Sequence, residues 1–541
     1  MASLNPLSGT LGHRLAAHLL RRTSYHYTRA QIDAFAGKTV TQAMDDLMII
    51  PSAIVAEPID YETGQPWINS GVESMANRGR LRSYIAGWWM DEARQDPSIG
   101  HKMMFFLHTN FVVAAMEGPS EEYFDYLALL RHYAVGNFKV LAYKMVLDNQ
   151  MLRYLDNTAN LKGKPNENFA REYLELFTIG KGQQVGPGDY TNYTEEDIVE
   201  AARVLTGFRT GQRDTHIDPD TNLPMGRAVF GQHELGDKTF TTNAFQDTII
   251  TGATNQAEMF QELQDFVDMI FAQDATATFI CRKLYRYFVG RHISQEIEED
   301  IITPLAIIFR ANNYELEPVL RVLLSSQHFY DKDDSKPTDE IVGGMLRSPL
   351  ELFLHTMSFF DIAVPDALTE TEDHYFRLYH RWVNSVFFPK AGFNVFRPST
   401  VAGYAGYYQE PTFHRNWFNS SSIIARYKLG EMLILGRRVL AGGTIPVQFD
   451  LPTFVQDTTH ITDADNAILM VQEFLDYLFP EAVSQERFDY YLNDIFLQGQ
   501  TTDDWSYEWQ AYLLNGDDTE VRLILNGLVE SIMYSPEYQL M

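Results

Sequence analysis

Apolar residues recur along most of the chain at spacings of three and four, the stripe of an amphipathic helix. His13–Arg22 (HRLAAHLLRR) reads as an opening helix, and a second follows Thr28, with Thr28 as its N-cap and Gly37 at its end. Leu81–Asp91 and His101–Val112 are crowded with Trp, Met and Phe and predict central core helices, and Glu121–Asn149 predicts two more. Over Thr210–Thr251 the pattern dissolves. Asp, Thr, Gly, Asn and Pro crowd DTHIDPDTNLPMG, and short runs such as Arg227-Ala-Val-Phe230 have strand character. Helices resume over Asn255–Ser326, continue past the polar loop Asp331–Glu340 to Phe360, and return from Asp463 onward. The chain therefore reads as mainly α. It is one large multi-helical body, with an N-terminal helical region (1–209), an irregular, small-β insertion (210–254) and a C-terminal helical region (255–541).

Composition adds exclusions more than identity. The chain has 43 Lys+Arg against 72 Asp+Glu, a net charge of −29. Acidity of that size argues against nucleic acid or an anionic membrane surface as the main partner. A hydrophobic content of 45% is ample for a core. No run approaches the ~18 consecutive apolar residues of a membrane span. Met1-Ala-Ser-Leu-Asn-Pro6 lacks the basic-then-apolar pattern of a signal peptide. The lone Cys281, in an apolar stretch, excludes an internal disulfide and a Cys-rich metal site.

The chemistry-bearing residues concentrate between Met151 and Phe208. Placed on a helix at ~100° per residue, Asn166–Phe177 gathers Phe169, Ala170, Tyr173, Leu174, Leu176 and Phe177 on one arc. Glu167, Asn168, Arg171, Glu172 and Glu175 fill the other. The polar face has three readings: a solvated surface, a buried polar network, or a functional site. In the last, Glu172 and Glu175 act as paired acid and base beside Arg171. Asn157, Asn160, Lys162, Asn166, Glu167 and Asn168 then bind a ligand near the helix N-terminus. A second helix begins at Thr194 with a capping-box pattern, Thr194-Glu-Glu-Asp197. His108 in its aromatic helix reads as a core histidine or a further ligand-binding residue. No His-Glu-x-x-His motif or phosphate loop is present, and cofactor and metal stay open. Asp218-Pro-Asp-Thr-Asn222 and Asp331-Lys-Asp-Asp334 resemble calcium loops only superficially, lacking the glycine and closing acid of an EF-hand. Ala391–Asn419 is a Gly- and Pro-bearing aromatic region. Its Tyr404, Tyr407, Tyr408 and Trp417 either form an interface or plug the end of the helical body.

Asn166-Glu-Asn-Phe-Ala-Arg-Glu-Tyr-Leu-Glu-Leu-Phe-Thr-Ile-Gly180 and Tyr193-Thr-Glu-Glu-Asp-Ile-Val-Glu-Ala-Ala-Arg-Val-Leu-Thr-Gly207 resemble the signature of a bacterial family, DUF 1800. Phe106-Leu-His-Thr-Asn-Phe111, Phe279-Ile-Cys-Arg-Lys-Leu284 and Arg347-Ser-Pro-Leu-Glu351 extend the resemblance over nearly the whole chain. It implies a mostly helical bacterial protein, often exported, with related genes near those of a DUF 1501 family. It implies no activity. Two function classes follow: a binding or assembly protein working with a DUF 1501-like partner, which is favoured, and a hydrolase built on Glu172, Glu175 and Arg171. Either requires those three side chains to face protein groups or a pocket rather than open solvent. Glu172→Gln is expected to cost stability if it strands a buried partner.

Overall fold

The computed structural model describes residues 2–51, 57–71, 73–115, 118–333, 341–436, 438–440 and 443–541. The protein is 57% helical, and its strands form two-residue and three-residue antiparallel pairs. Local sequence sets the helix ends. Thr28 accepts a hydrogen bond from Gln31 N ahead of Arg29–Ala36, and Thr194 and Asp197 form a complete capping box for Glu195–Val204. Gly37 ends its helix with φ −81°, so its left-handed freedom is not used there.

The two aromatic-rich helices predicted for the core, Arg78–Gln95 and Gly100–Asn110, lie at its centre with Ser120–His132 packed on both. Trp89, Met103, Phe105 and Leu107 have no exposed surface. Periodicity alone did not reveal that four helical stretches open into π turns: Tyr173–Thr178, Glu298–Ile302, Glu372–Phe387 and Tyr490–Leu497. A π turn inserts a residue into the helical repeat, so it shifts the phase of every side chain beyond it.

The insertion contains Phe208–Arg209 paired with Arg227–Ala228, and Lys238–Thr239 paired with Ile249–Ile250. The strand expected over Arg227-Ala-Val-Phe230 stops after Ala228 because Phe230–Gln232 turns into a 3₁₀ helix. Two ion networks bind this segment to the helices. The Lys144 ammonium sits 2.7 Å from Asp218 and 2.8 Å from Asp220, occupying the place a cation would take in that acidic loop. Glu262, 2% exposed, meets His233 at 3.0 Å and Lys238 at 2.5 Å. In the second acidic loop Asp331 accepts from Ile341 N and Val342 N, while Asp334 lies outside the described residues.

Four arginines close the body. Arg21, Arg22, Arg347 and Arg426 are each at most 1% exposed. Arg21 donates to the carbonyls of Tyr477 and Phe479, and Arg22 to those of Phe288, Val289, Ile341 and Met541. Arg347 donates to the Leu540 carbonyl, and Arg426 to the Gln539 side chain and the Arg347 carbonyl. Removing one such guanidinium leaves buried carbonyls without donors. Arg22→Met is therefore expected to lower stability by about 3–5 kcal/mol, read as a fall in the urea midpoint, against little change for the exposed Arg377→Met.

Candidate functional site

The signature helix begins as its sequence requires. Asn166 caps it by accepting from Asn168 N at 3.1 Å, just after Pro165. It runs as an α-helix over Glu167–Glu172 and as a π-helix over Tyr173–Thr178. Phe169, Ala170, Tyr173, Leu174 and Phe177 have no exposed surface, whereas Leu176, placed on the same arc by an α-helical wheel, is only half-buried. The turn to π geometry accounts for that departure.

The polar face divides into two groups. Its amides, together with those of the preceding loop, form an internal clasp. Asn157 and Asn160 are fully buried. The Asn160 amide donates to Asn157 Oδ1 at 3.1 Å and to the Ala202 carbonyl at 2.9 Å, and its oxygen accepts from Asn166 N at 2.8 Å. Asn157 donates to the Leu205 carbonyl and Asn168 to that of Leu155. These groups tie the loop to the next helix. Lys162 and Glu167 are exposed. Arg171 joins the signature helix to Glu195 by two bonds of 2.7 and 2.8 Å and also reaches Glu167 at 3.2 Å. Its side chain is 34% exposed and that of Glu175 21%, so neither stands in open solvent. Glu172, half-buried, has no hydrogen bond or ion pair among the described residues. Burial first, and the neighbouring Glu175 second, push its carboxyl above the usual range.

Glu175 opens onto a different feature, a cavity of about 420 Å³ between the signature helix, the central helix Gly100–Asn110, the helix Asp274–Phe288 and the aromatic loop. Lys181 pairs with Glu175 at 2.6 Å, and the Tyr193 hydroxyl donates to it at 3.2 Å. Across the cavity Arg286 pairs with Glu410 at 2.8 Å and lies over the Phe413 ring. Lys283 is the exception. Its ammonium donates to Asn110 Oδ1 at 2.8 Å and to the Leu176 carbonyl, stands 4.6 Å over the Phe279 ring, and meets no carboxylate among the described residues. Burial, with Arg286 nearby, brings its pKa down to about 7. Gly180 makes this packing close: at φ +72°, a Cβ there would fall 2.6 Å from the Phe279 ring.

A family model described as "Protein of unknown function (DUF1800)" matches residues 18–540. The chain belongs to the DUF1800 family. No curated protein and no solved structure matches it. Three segments that carried the resemblance in the sequence converge in space: Asn110, Glu175 and Lys283 come from separate stretches and line one cavity. Lys283, Lys181, Arg286 and Asn110 were not selected from sequence as site residues. The Phe279–Leu284 motif was the available signal for Lys283, but its partners lie 107 and 173 residues away.

The remaining candidates fall outside that cavity or at its edge. His108 has no exposed surface, lies 3.0 Å from the Tyr126 hydroxyl, and is held neutral by burial, its pKa down to about 3. Tyr404 and Trp417 are interior, at 5% and 3% exposure, and pack on Phe393. Tyr407 and Tyr408 line the cavity, with Tyr408 at 40% exposure. No grouping of three or more His, Cys, Asp or Glu suited to a metal ion occurs among the described residues. Nor is any described helix long and apolar enough to cross a membrane.

Two predictions follow from the divided polar face. Asn160→Ala strands the Asn166 N–H and the Ala202 carbonyl and should cost about 2–4 kcal/mol in chemical denaturation, while Lys162→Ala stays within about 0.5. For Glu172→Gln the expected stability loss is reversed, because no partner is stranded. A carboxyl whose folded pKa is raised favours folding below its unfolded pKa, and that contribution disappears as pH rises through the folded value. The melting temperature of the Gln variant relative to wild type should rise from pH 4 to pH 7. A relative fall over that range would contradict the assignment.

Proposed function

We propose that this DUF1800 protein is a binding protein for a small organic ligand, held in the cavity between the signature helix and the aromatic loop. The observation that carries the reading is convergence. Separate family motifs supply its polar wall at Asn110, Glu175 and Lys283, and the aromatic loop supplies an apolar wall at Tyr407, Tyr408 and Phe413. A cleft with one apolar, aromatic wall and a few placed polar groups is the usual form of a small-molecule site. With Glu175 paired to Lys181 and Arg286 to Glu410, the charges at the rim are balanced, so the body of the ligand is apolar or aromatic and its polar end faces Lys283.

The two function classes expected from sequence have narrower support. A hydrolase on Glu172, Glu175 and Arg171 would need those groups free, yet Arg171 is engaged by Glu195 and Glu175 by Lys181. A complex with a DUF 1501-like partner would use the loop's outer edge at Tyr408, since Tyr404 and Trp417 are interior.

Benzyl alcohol, a ring with one polar end, serves as a first probe. It should raise the melting temperature in a saturable way, and Tyr407→Ala should weaken the apparent affinity at least about ten-fold, the equivalent of ~1.4 kcal/mol. Equal shifts in wild type and variant would place binding elsewhere and end the reading.

A further inference from the structure

We infer that Lys283 is a reactive amine that captures aldehyde or ketone ligands of this cavity as an imine. The inference rests on the reading of the cavity as a ligand site and names the ligand's chemical class. Four features of the lysine carry it. Its side chain lines the cavity, a space large enough for a ring-bearing molecule. Its hydrogen-bond partners, Asn110 Oδ1 and the Leu176 carbonyl, are neutral acceptors. Both hold the amine by its hydrogens and leave the nitrogen lone pair of the unprotonated form unengaged. The other cavity cations, Lys181 and Arg286, are each neutralised by a carboxylate, and Lys283 is not. Burial against the signature helix takes the ammonium out of water and disfavours its charged form, which outweighs the attraction of the Phe279 face.

The neutral amine at Lys283 is accordingly available near pH 7, where an exposed lysine is almost wholly protonated. Its lone pair attacks the carbonyl carbon, and the carbonyl π electrons move to oxygen. The two amine hydrogens then leave with that oxygen as one water molecule, and a carbon–nitrogen double bond remains. No oxidant, reductant or metal enters the balance. The helix-capping contacts to Asn110 and Leu176 are a structural role the same lysine fulfils before reaction, so the test needs readouts that capping would not move.

Benzaldehyde with cyanoborohydride reduces any imine to a stable benzyl amine, located by peptide mass mapping on the wild-type chain. Lys283 is expected to label at least about ten-fold faster at pH 7 than the exposed Lys162 and Lys390, with a rate midpoint near pH 7 rather than near 10. Lys283→Arg should keep the fold and lose the fast-labelling site. Labelling spread evenly over surface lysines, or a midpoint at Lys283 near 10, overturns the inference. Benzyl alcohol separates this from the ligand-site reading because it has no carbonyl. If it stabilises the protein through Tyr407 while Lys283 stays unlabelled, the imine fails and the binding site stands; if neither occurs, both fail.

Discussion

The body depends on guanidinium groups that were taken out of water and given to backbone carbonyls. Arg21 and Arg22, adjacent on the first helix, reach carbonyls at 288, 289, 341, 477, 479 and 541. Arg347 and Arg426 fasten the segment at 539–540 from the other side. Burial lowers the pKa of Arg21 and Arg22 only to about 10, so both stay charged at neutral pH. A buried charge costs several kcal/mol unless donors and acceptors match it closely. Here the matching groups are segments more than 450 residues distant from Arg21 in the chain. Lys102 and Glu351 add an ion pair beside them, with Glu351 also completing the capping box at Ser348. The consequence is a body whose first helix and last residues are mutually dependent.

What could be read from sequence follows the range of the interaction concerned. Helix positions rest on neighbours three and four residues apart, so the opening helix, the core helices and the capping box at Thr194 were legible. So was the irregular insertion, because Gly, Pro and Asp act locally. The π turns were not legible, since Tyr173–Thr178 has an ordinary apolar pattern and its extra residue per turn is set by packing. Leu176 was misplaced for that reason. Nor could the sequence tell that Lys144 fills the Asp218–Asp220 loop, because lysine and loop are 74 and 76 residues apart.

The polar face of the signature helix illustrates the same limit. Three readings were open, and different residues fall under different ones. Asn157 and Asn160 are a buried network, Lys162 and Glu167 are solvated, and Glu175 borders a cavity. A signature that mixes all three reflects a tightly constrained stretch of backbone. The amides fix the entry to the helix, the π turn fixes its phase, and Gly180 fixes its exit against Phe279. Each of these acts on where Glu175 and the Leu176 carbonyl come to lie, so the structural and functional parts of the motif are linked.

Lys283 is where opposing effects must be weighed by size. It reaches the C-terminal end of the signature helix at the Leu176 carbonyl, and a helix terminus favours a cation by about 0.3–1 kcal/mol. One pKa unit corresponds to about 1.36 kcal/mol, so that attraction offsets less than one unit. Desolvation acts in the opposite direction, and Arg286 adds to it, which is why the net shift is downward. A carboxylate within reach would reverse the balance, as Glu175 does for Lys181, whose pKa is raised. The cavity thus holds two lysines with opposite behaviour, distinguished by depth of burial and by the Glu175 carboxylate. In a chain of net charge −29, it presents paired charges and one amine without a counter-ion. On the proposed reading a neutral carbonyl meets the lone pair of that amine, whereas an anion would favour its protonated form and hold it as an ammonium.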